Sequence, residues 1–220
     1  MRGLLQTLRR RSEQRAIERR AIPEALWQLT LARYPFLAQR SAADLDELRR
    51  LTSLFLDRKE FSGAHGLQVS DDMAVAIAAQ ACLPVLRFGL APYDGFVGIV
   101  VHADEVQVRR EVVDDDGVVH EYDDVLAGEA MDGGPVMLSW RDVSDAGETA
   151  EWGYNVVVHE FAHVLDMGDG IADGVPPLPS AQRARWVEVL MREYEAFCER
   201  VDADEDTVLD PYGAESPEEF

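Results

Sequence analysis

Cysteine is nearly absent from this 220-residue chain: there are two, Cys82 and Cys198, far apart and each in an apolar stretch. Two such residues exclude a disulfide framework and read as buried thiols, which suits a reducing, cytoplasmic compartment. Long apolar runs are missing as well. The stretch from Met73 to Leu90 is interrupted by Gln80, Pro84 and Arg87, well short of the roughly 18 to 20 apolar residues a membrane span requires. Seven arginines fall in the first twenty residues, yet no apolar segment of the kind an export signal needs follows them. Positive charge is scarce beyond that point. Residues 1–60 carry a net +5 and residues 61–220 a net −26, giving −21 in all. Direct binding of nucleic acid by the main part of the chain is thereby excluded. Residues 1–20 read as a basic, solvated helix or tail, and residues 21–220 as a single domain large enough to bury its own core.

What is present divides into three blocks. Pro23 can open a helix that carries Leu26, Leu29 and Leu31 up to Pro35. Ser41 with Asp44 resembles a capping signal for a second helix, with Leu45, Leu48, Leu51, Leu54 and Phe55 as its stripe and an end near Phe61. Asp71 to Leu83 reads as a buried helix closed by Pro84. β-branched residues and turn signals then take over. Phe96 to Val101 is a strand, Glu105–Val113 and Val118–Tyr122 flank the turn Asp114–Gly117 as a hairpin, and Pro135 to Trp140 is a further strand. Helix returns over Tyr154–Asp166 and from Ser180 to about Val201. Helices, then strands, then helices argue an α+β fold.

The segment His159-Glu160-Phe161-Ala162-His163 carries the chemistry. On a helix, positions four apart lie about 40° apart around the axis and one turn along it, so the two imidazoles face one point. Glu160 sits about 100° round from His159, placed to take a proton from a water that the metal polarises without binding the metal itself. Two histidines and an open position for water suit zinc, which needs a third protein ligand. Asp169, six residues beyond His163, is one candidate, although the glycine that usually turns the chain back on such a route is replaced here by Asp166. Asp166 itself reads as a carboxylate orienting an imidazole. The other candidate is Glu219, in Ser216-Pro217-Glu218-Glu219, where the plain alternative is a helix-capping carboxylate. Composition alone leaves both open.

These residues, with Ile77-Ala78-Ala79-Gln80-Ala81-Cys82-Leu83-Pro84, Gly117-Val118-Val119-His120-Glu121, Gly128-Glu129-Ala130, Gly134-Pro135-Val136-Met137-Leu138-Ser139-Trp140 and Tyr212 to Phe220, resemble the Mlc titration factor A family of zinc metallopeptidases. The resemblance runs through most of the chain. It implies His159, His163 and Glu219 as zinc ligands, Glu160 as general base and Tyr212 as the site tyrosine. It further implies a zincin-like arrangement: N-terminal helices, and a small mixed or antiparallel sheet packed on the metal-motif helix. A strand of that sheet, Pro135 to Trp140, would receive the extended substrate. The activity implied is aminopeptidase-like cleavage of short peptides. The family's name implies the competing role of sequestering a transcriptional repressor protein. In the family the third-ligand segment continues into a helix, whereas the sequence here ends at Phe220. So short a remnant cannot nucleate a helix, so a frayed Glu219 and weakened metal binding are expected.

Overall fold

The computed structural model describes residues 2–113, 119–131 and 133–220; for residues 2–6, 9, 107–113 and 119–125 only the backbone is described. Four helices come first: α1 (Arg2–Arg19), α2 (Glu24–Arg33), the short α3 (Pro35–Ala38) and α4 (Ala42–Arg58). The basic start is therefore helical, and it is anchored. Ala16 is buried, and the Arg19 guanidinium forks onto the Asp57 carboxylate at 2.9–3.2 Å. Ser41 caps α4 as expected, its hydroxyl accepting from the Asp44 N–H, and Leu48, Leu51, Leu54 and Phe55 form the buried stripe.

The helix stops at Arg58, short of the expected Phe61, because the next residues are claimed by a sheet. Glu60–Gly63 is strand β1, and the buried Lys59 ammonium donates to the carbonyls of Tyr93 and Phe96. Helix α5 (Asp71–Ala81) then crosses over to β2 (Gly98–His102), which pairs with β1 in parallel from Glu60↔Gly98 to Gly63↔Val101. Parallel neighbours need such a crossover. The hairpin of β3 (Val106–Val113) and β4 (Val119–Leu126) follows, registered from Val106↔Leu126 to Val113↔Val119. Its acidic turn lies outside the described residues.

Strands β5 (Gly128–Ala130) and β6 (Val136–Ser139) complete a mixed sheet of order β1-β2-β6-β5, in which only β5 runs antiparallel to its neighbour. Two expectations are corrected here. The strand expected to reach Trp140 ends at Ser139, whose hydroxyl accepts from the Asp142 N–H and starts helix α6 (Trp140–Thr149). That strand also cannot take up a peptide, because both of its edges are already paired, with β2 and with β5. The outer strands are β1 and, beside β6, β5.

Helices α7 (Val156–Asp166) and α8 (Ser180–Asp202) close the chain. The fold is thus α+β as expected. Its core gathers around α7: the Phe161 ring lies 5.0–5.9 Å, centre to centre, from those of Tyr93, Phe55 and Phe96. Cys82 is fully buried and Cys198 half-buried, both as free thiols. Among the described residues no helix is long and apolar enough to cross a membrane.

Candidate metal centre

Helix α7 begins at Asn155, whose side-chain oxygen accepts the Val158 N–H at 2.9 Å. Its amide donates to Gln80 of α5 at 2.9 Å, so the start of the motif helix is tied to the core. Val156, Val157, Glu160 and Phe161 turn inward, and His159 and His163 are left half-buried on the other side. The two imidazole Nε2 atoms come within 3.0 Å of each other. Glu219 Oε2 lies 3.1 Å from the first and 3.4 Å from the second.

Three lone-pair atoms at such separations repel one another unless a proton or a cation sits among them. Glu219 Oε2 is itself buried and outside any ordinary hydrogen bond. The facing imidazoles hold the Glu219 carboxyl down to about 2, and Glu219 in turn raises His163. This is a donor set built for a positive charge, and the cluster fits a metal ion. Among the described residues no other trio of His, Cys, Asp or Glu converges in this way.

Glu160 stands beside the trio and outside it. Burial pushes its carboxyl up to about 7, against the opposing pull of His159 and His163, while the Ala130 N–H donates to it. The neighbouring strand makes room for it through Gly128, where a Cβ would fall 2.5 Å from Glu160 Oε1. No helical or strand pattern in the sequence points to that contact.

Glu219 comes from the other end of the chain. The Tyr194 hydroxyl of α8 donates to the Ala214 carbonyl, and the Phe220 ring packs 5.2 Å from Phe197 and 5.8 Å from Tyr194. Residues 217–219 form a turn, with the Glu219 N–H donating to the Ser216 carbonyl at 3.1 Å. The segment is therefore packed rather than frayed, and the Glu219 side chain faces the imidazoles instead of capping a helix.

Asp166 has a different task from orienting an imidazole. Its Oδ2 accepts the N–H groups of Asp173 and Gly174, both at 2.8 Å. Gly174, at φ +74°, lies so close to the Pro217 carbonyl that a Cβ would meet it at 2.6 Å. A chain of contacts thus runs from the end of α7 through this loop to the Glu219 turn. Asp169 pairs with Arg183 at 3.4 Å and is not brought to the imidazoles.

Two hollows open beside the cluster, sharing Tyr154, His159, Asp210 and Tyr212. One, of about 330 Å³, reaches Glu160, Gly128 and the carboxylates of Glu105 and Asp142; the other, of about 400 Å³, reaches Glu219. The ring of Tyr212 is 6.0 Å from that of His159, and the ring of Tyr154 is 6.4 Å away on the same imidazole. Tyr154, expected as the first residue of the motif helix, instead precedes its cap and was not expected at the site. Its one signal is its place immediately before the residue that caps the motif helix.

A sequence model of the family described as glucose-regulated metallo-peptidase M90 matches residues 7–220. The chain belongs to this family. Relatives of this M90 chain extend over most of its length. An uncharacterized protein of Synechocystis is 40% identical over 197 residues, covering 88% of this chain and 72% of the relative. Proteins named Mlc titration factor A match it as well. The one from Pectobacterium atrosepticum is 34% identical over 88% of this chain and 73% of its own. That from Edwardsiella ictaluri is 37% identical over 79% and 68%. The family resemblance drawn from the motifs is thereby borne out, and an M90 metallopeptidase framework accounts for a cluster of this composition.

Proposed function

We propose that this protein is a cytoplasmic, zinc-dependent peptidase of zincin-like design, acting in the manner of an aminopeptidase on short peptides. His159, His163 and Glu219 hold the metal, and Glu160 is the general base. The observation that carries the reading is the convergence of the three donor atoms at 3.0–3.4 Å beside a buried carboxyl poised near neutrality. Zinc is favoured over other metals by its taste for imidazole and carboxylate. A tetrahedron with ligands about 2.0–2.1 Å from its centre has edges of about 3.3 Å, close to those seen.

When bound, zinc supplies Lewis acidity and brings the pKa of a water down to about 7. Glu160 would accept the proton of the attacking water as its oxygen adds to the scissile carbonyl, and would return a proton to the leaving amine. The Tyr212 phenol donates to the oxyanion that develops. Strand β5, an outer strand of the sheet and the neighbour of Glu160, aligns the peptide by strand addition. The acid-lined hollow supports the aminopeptidase-like reading. Asp142 Oδ2 is buried there without a hydrogen-bond partner, and together with Glu105 and Asp210 it complements a peptide's α-ammonium group.

Glu160→Gln is the decisive variant. Zinc should remain at one equivalent by elemental analysis, while turnover of short peptides falls by about 10²- to 10⁴-fold. Hydrolysis at the wild-type rate would remove Glu160 from the mechanism. A second reading, capture of a transcriptional repressor, is favoured by one observation, the name Mlc titration factor A carried by several relatives. One equivalent of zinc without hydrolysis of any short peptide would leave that reading in place.

A further inference from the structure

The larger hollow shares His159 and Tyr212 with the acidic one but opens away from Glu160, and most of its lining is of a different kind. Its floor is one stripe of α7: Asn155, Val158, His159 and Ala162 recur at helical spacing. Ala150 and Leu209 supply apolar wall, and Phe36 and Phe220 contribute rings. Asn155 brings no open polar demand, since its amide and its carbonyl are both spent on the protein. The carboxylates on its wall, Asp210, Glu218 and Glu219, all come from the C-terminal segment. Of these, Asp210 is engaged by the Tyr212 N–H and Glu219 faces the imidazoles. At about 400 Å³ the space is large enough for an aromatic or branched aliphatic side chain.

Resting on the peptidase reading, we infer that this hollow is the specificity pocket for the residue following the scissile bond, and that it takes a bulky apolar side chain. The direction follows from the way the two hollows part. Both begin at His159 and Tyr212, one continues to Glu160 and the carboxylates of Glu105 and Asp142, and the other continues to Glu219 and the apolar wall. A peptide whose α-ammonium group lies in the acidic hollow places its first peptide bond at the cluster. Its second side chain then enters the apolar one. Alanine or glycine at that position leaves the hollow to water and forgoes the burial that leucine or phenylalanine gains.

The test uses zinc-loaded protein and amidated dipeptides that keep alanine first and vary the second residue. Ala-Leu and Ala-Phe amides are expected to exceed Ala-Gly amide by about 10- to 100-fold in kcat/KM. Filling the hollow with Ala150→Trp, or removing its wall with Leu209→Ala, should each shrink that ratio by at least fivefold while zinc content stays at one equivalent. Equilibrium binding of the same amides to zinc-loaded Glu160→Gln protein gives a readout independent of turnover, and the same order of affinities is expected. Hydrolysis without preference at the second residue overturns the inference and leaves the peptidase reading intact. Preferential binding of the apolar amides with no hydrolysis by the wild type does the reverse. A preference that survives both substitutions unchanged overturns the assignment of this hollow.

Discussion

The two faces of α7 are built from adjacent residues and obey different physics. On the inner face, Phe161 has no exposed surface and is ringed by Phe55, Tyr93 and Phe96. On the outer face, His159 and Ala162 border an open hollow, and His159 and His163 meet Glu219 from the far end of the chain. One face is held by burial and would survive without a metal. The other brings three lone-pair atoms together and is at ease only with a cation among them. Glu160 lies between the two, buried like the first and charged for the use of the second. A helix that presents converging donor groups on one side can hold them rigidly by anchoring the opposite side, and the anchor is separable from the donor set.

The largest effect is expected from breaking the anchor. Phe161→Ala removes a fully buried ring from the core and should cost about 3–5 kcal/mol of stability in urea unfolding. If folded protein persists at low temperature, it should still bind metal. A loss of metal binding out of proportion to unfolding would show that the two faces are not separable.

Next comes the boundary residue. In metal-free protein the Glu160 carboxyl keeps its proton up to about 7, whereas in the unfolded chain it ionises near 4.5. The folded state therefore binds more protons across that window, and stability falls as pH rises from about 4.5 to about 7. The loss amounts to about 3 kcal/mol at most. Glu160→Gln has nothing to ionise, so the pH dependence that distinguishes it from the wild type should vanish. Parallel stability curves for the two metal-free proteins over that range would contradict the burial argument.

A third test addresses the link to the far end of the chain. Asp166→Ala releases the N–H groups of Asp173 and Gly174 and with them the support of the Glu219 turn. Metal affinity should fall by about 10- to 100-fold in competition with a chelator, as is usual when a supporting group is lost. Unchanged affinity would mean that packing of Phe220 on α8 holds Glu219 by itself.

How much of this was legible in the sequence follows the range of the interactions. The helical stripe of α4, its capping by Ser41 and the one-turn spacing of His159 and His163 are local, and they read directly. Glu219 was singled out from a resemblance, since nothing local distinguishes a ligand from a capping carboxylate sixty residues along the chain. The end of α4 and the end of β6 were misplaced, and α6 went unanticipated, because β1 and β6 are defined by partners distant in sequence. The same cause hid β5, a three-residue strand recognisable only once β6 lies beside it. The places of Gly128 and Tyr154 at the site were not legible because they exist only in the contacts these residues make across the fold.

The smallest expected effect gives the sharpest comparison, because it sits next to the largest. Ala162 follows Phe161 directly, yet it is exposed on the outer face and its side chain borders the apolar hollow. Ala162→Ser adds one hydroxyl where water can reach it, so the change in unfolding free energy should stay within about 0.5 kcal/mol. The few tenths it does cost reflect the lower helix propensity of serine. A loss of several kcal/mol from this substitution would place Ala162 in the core and deny α7 its open face, and with it the distinction on which the metal cluster's accessibility depends.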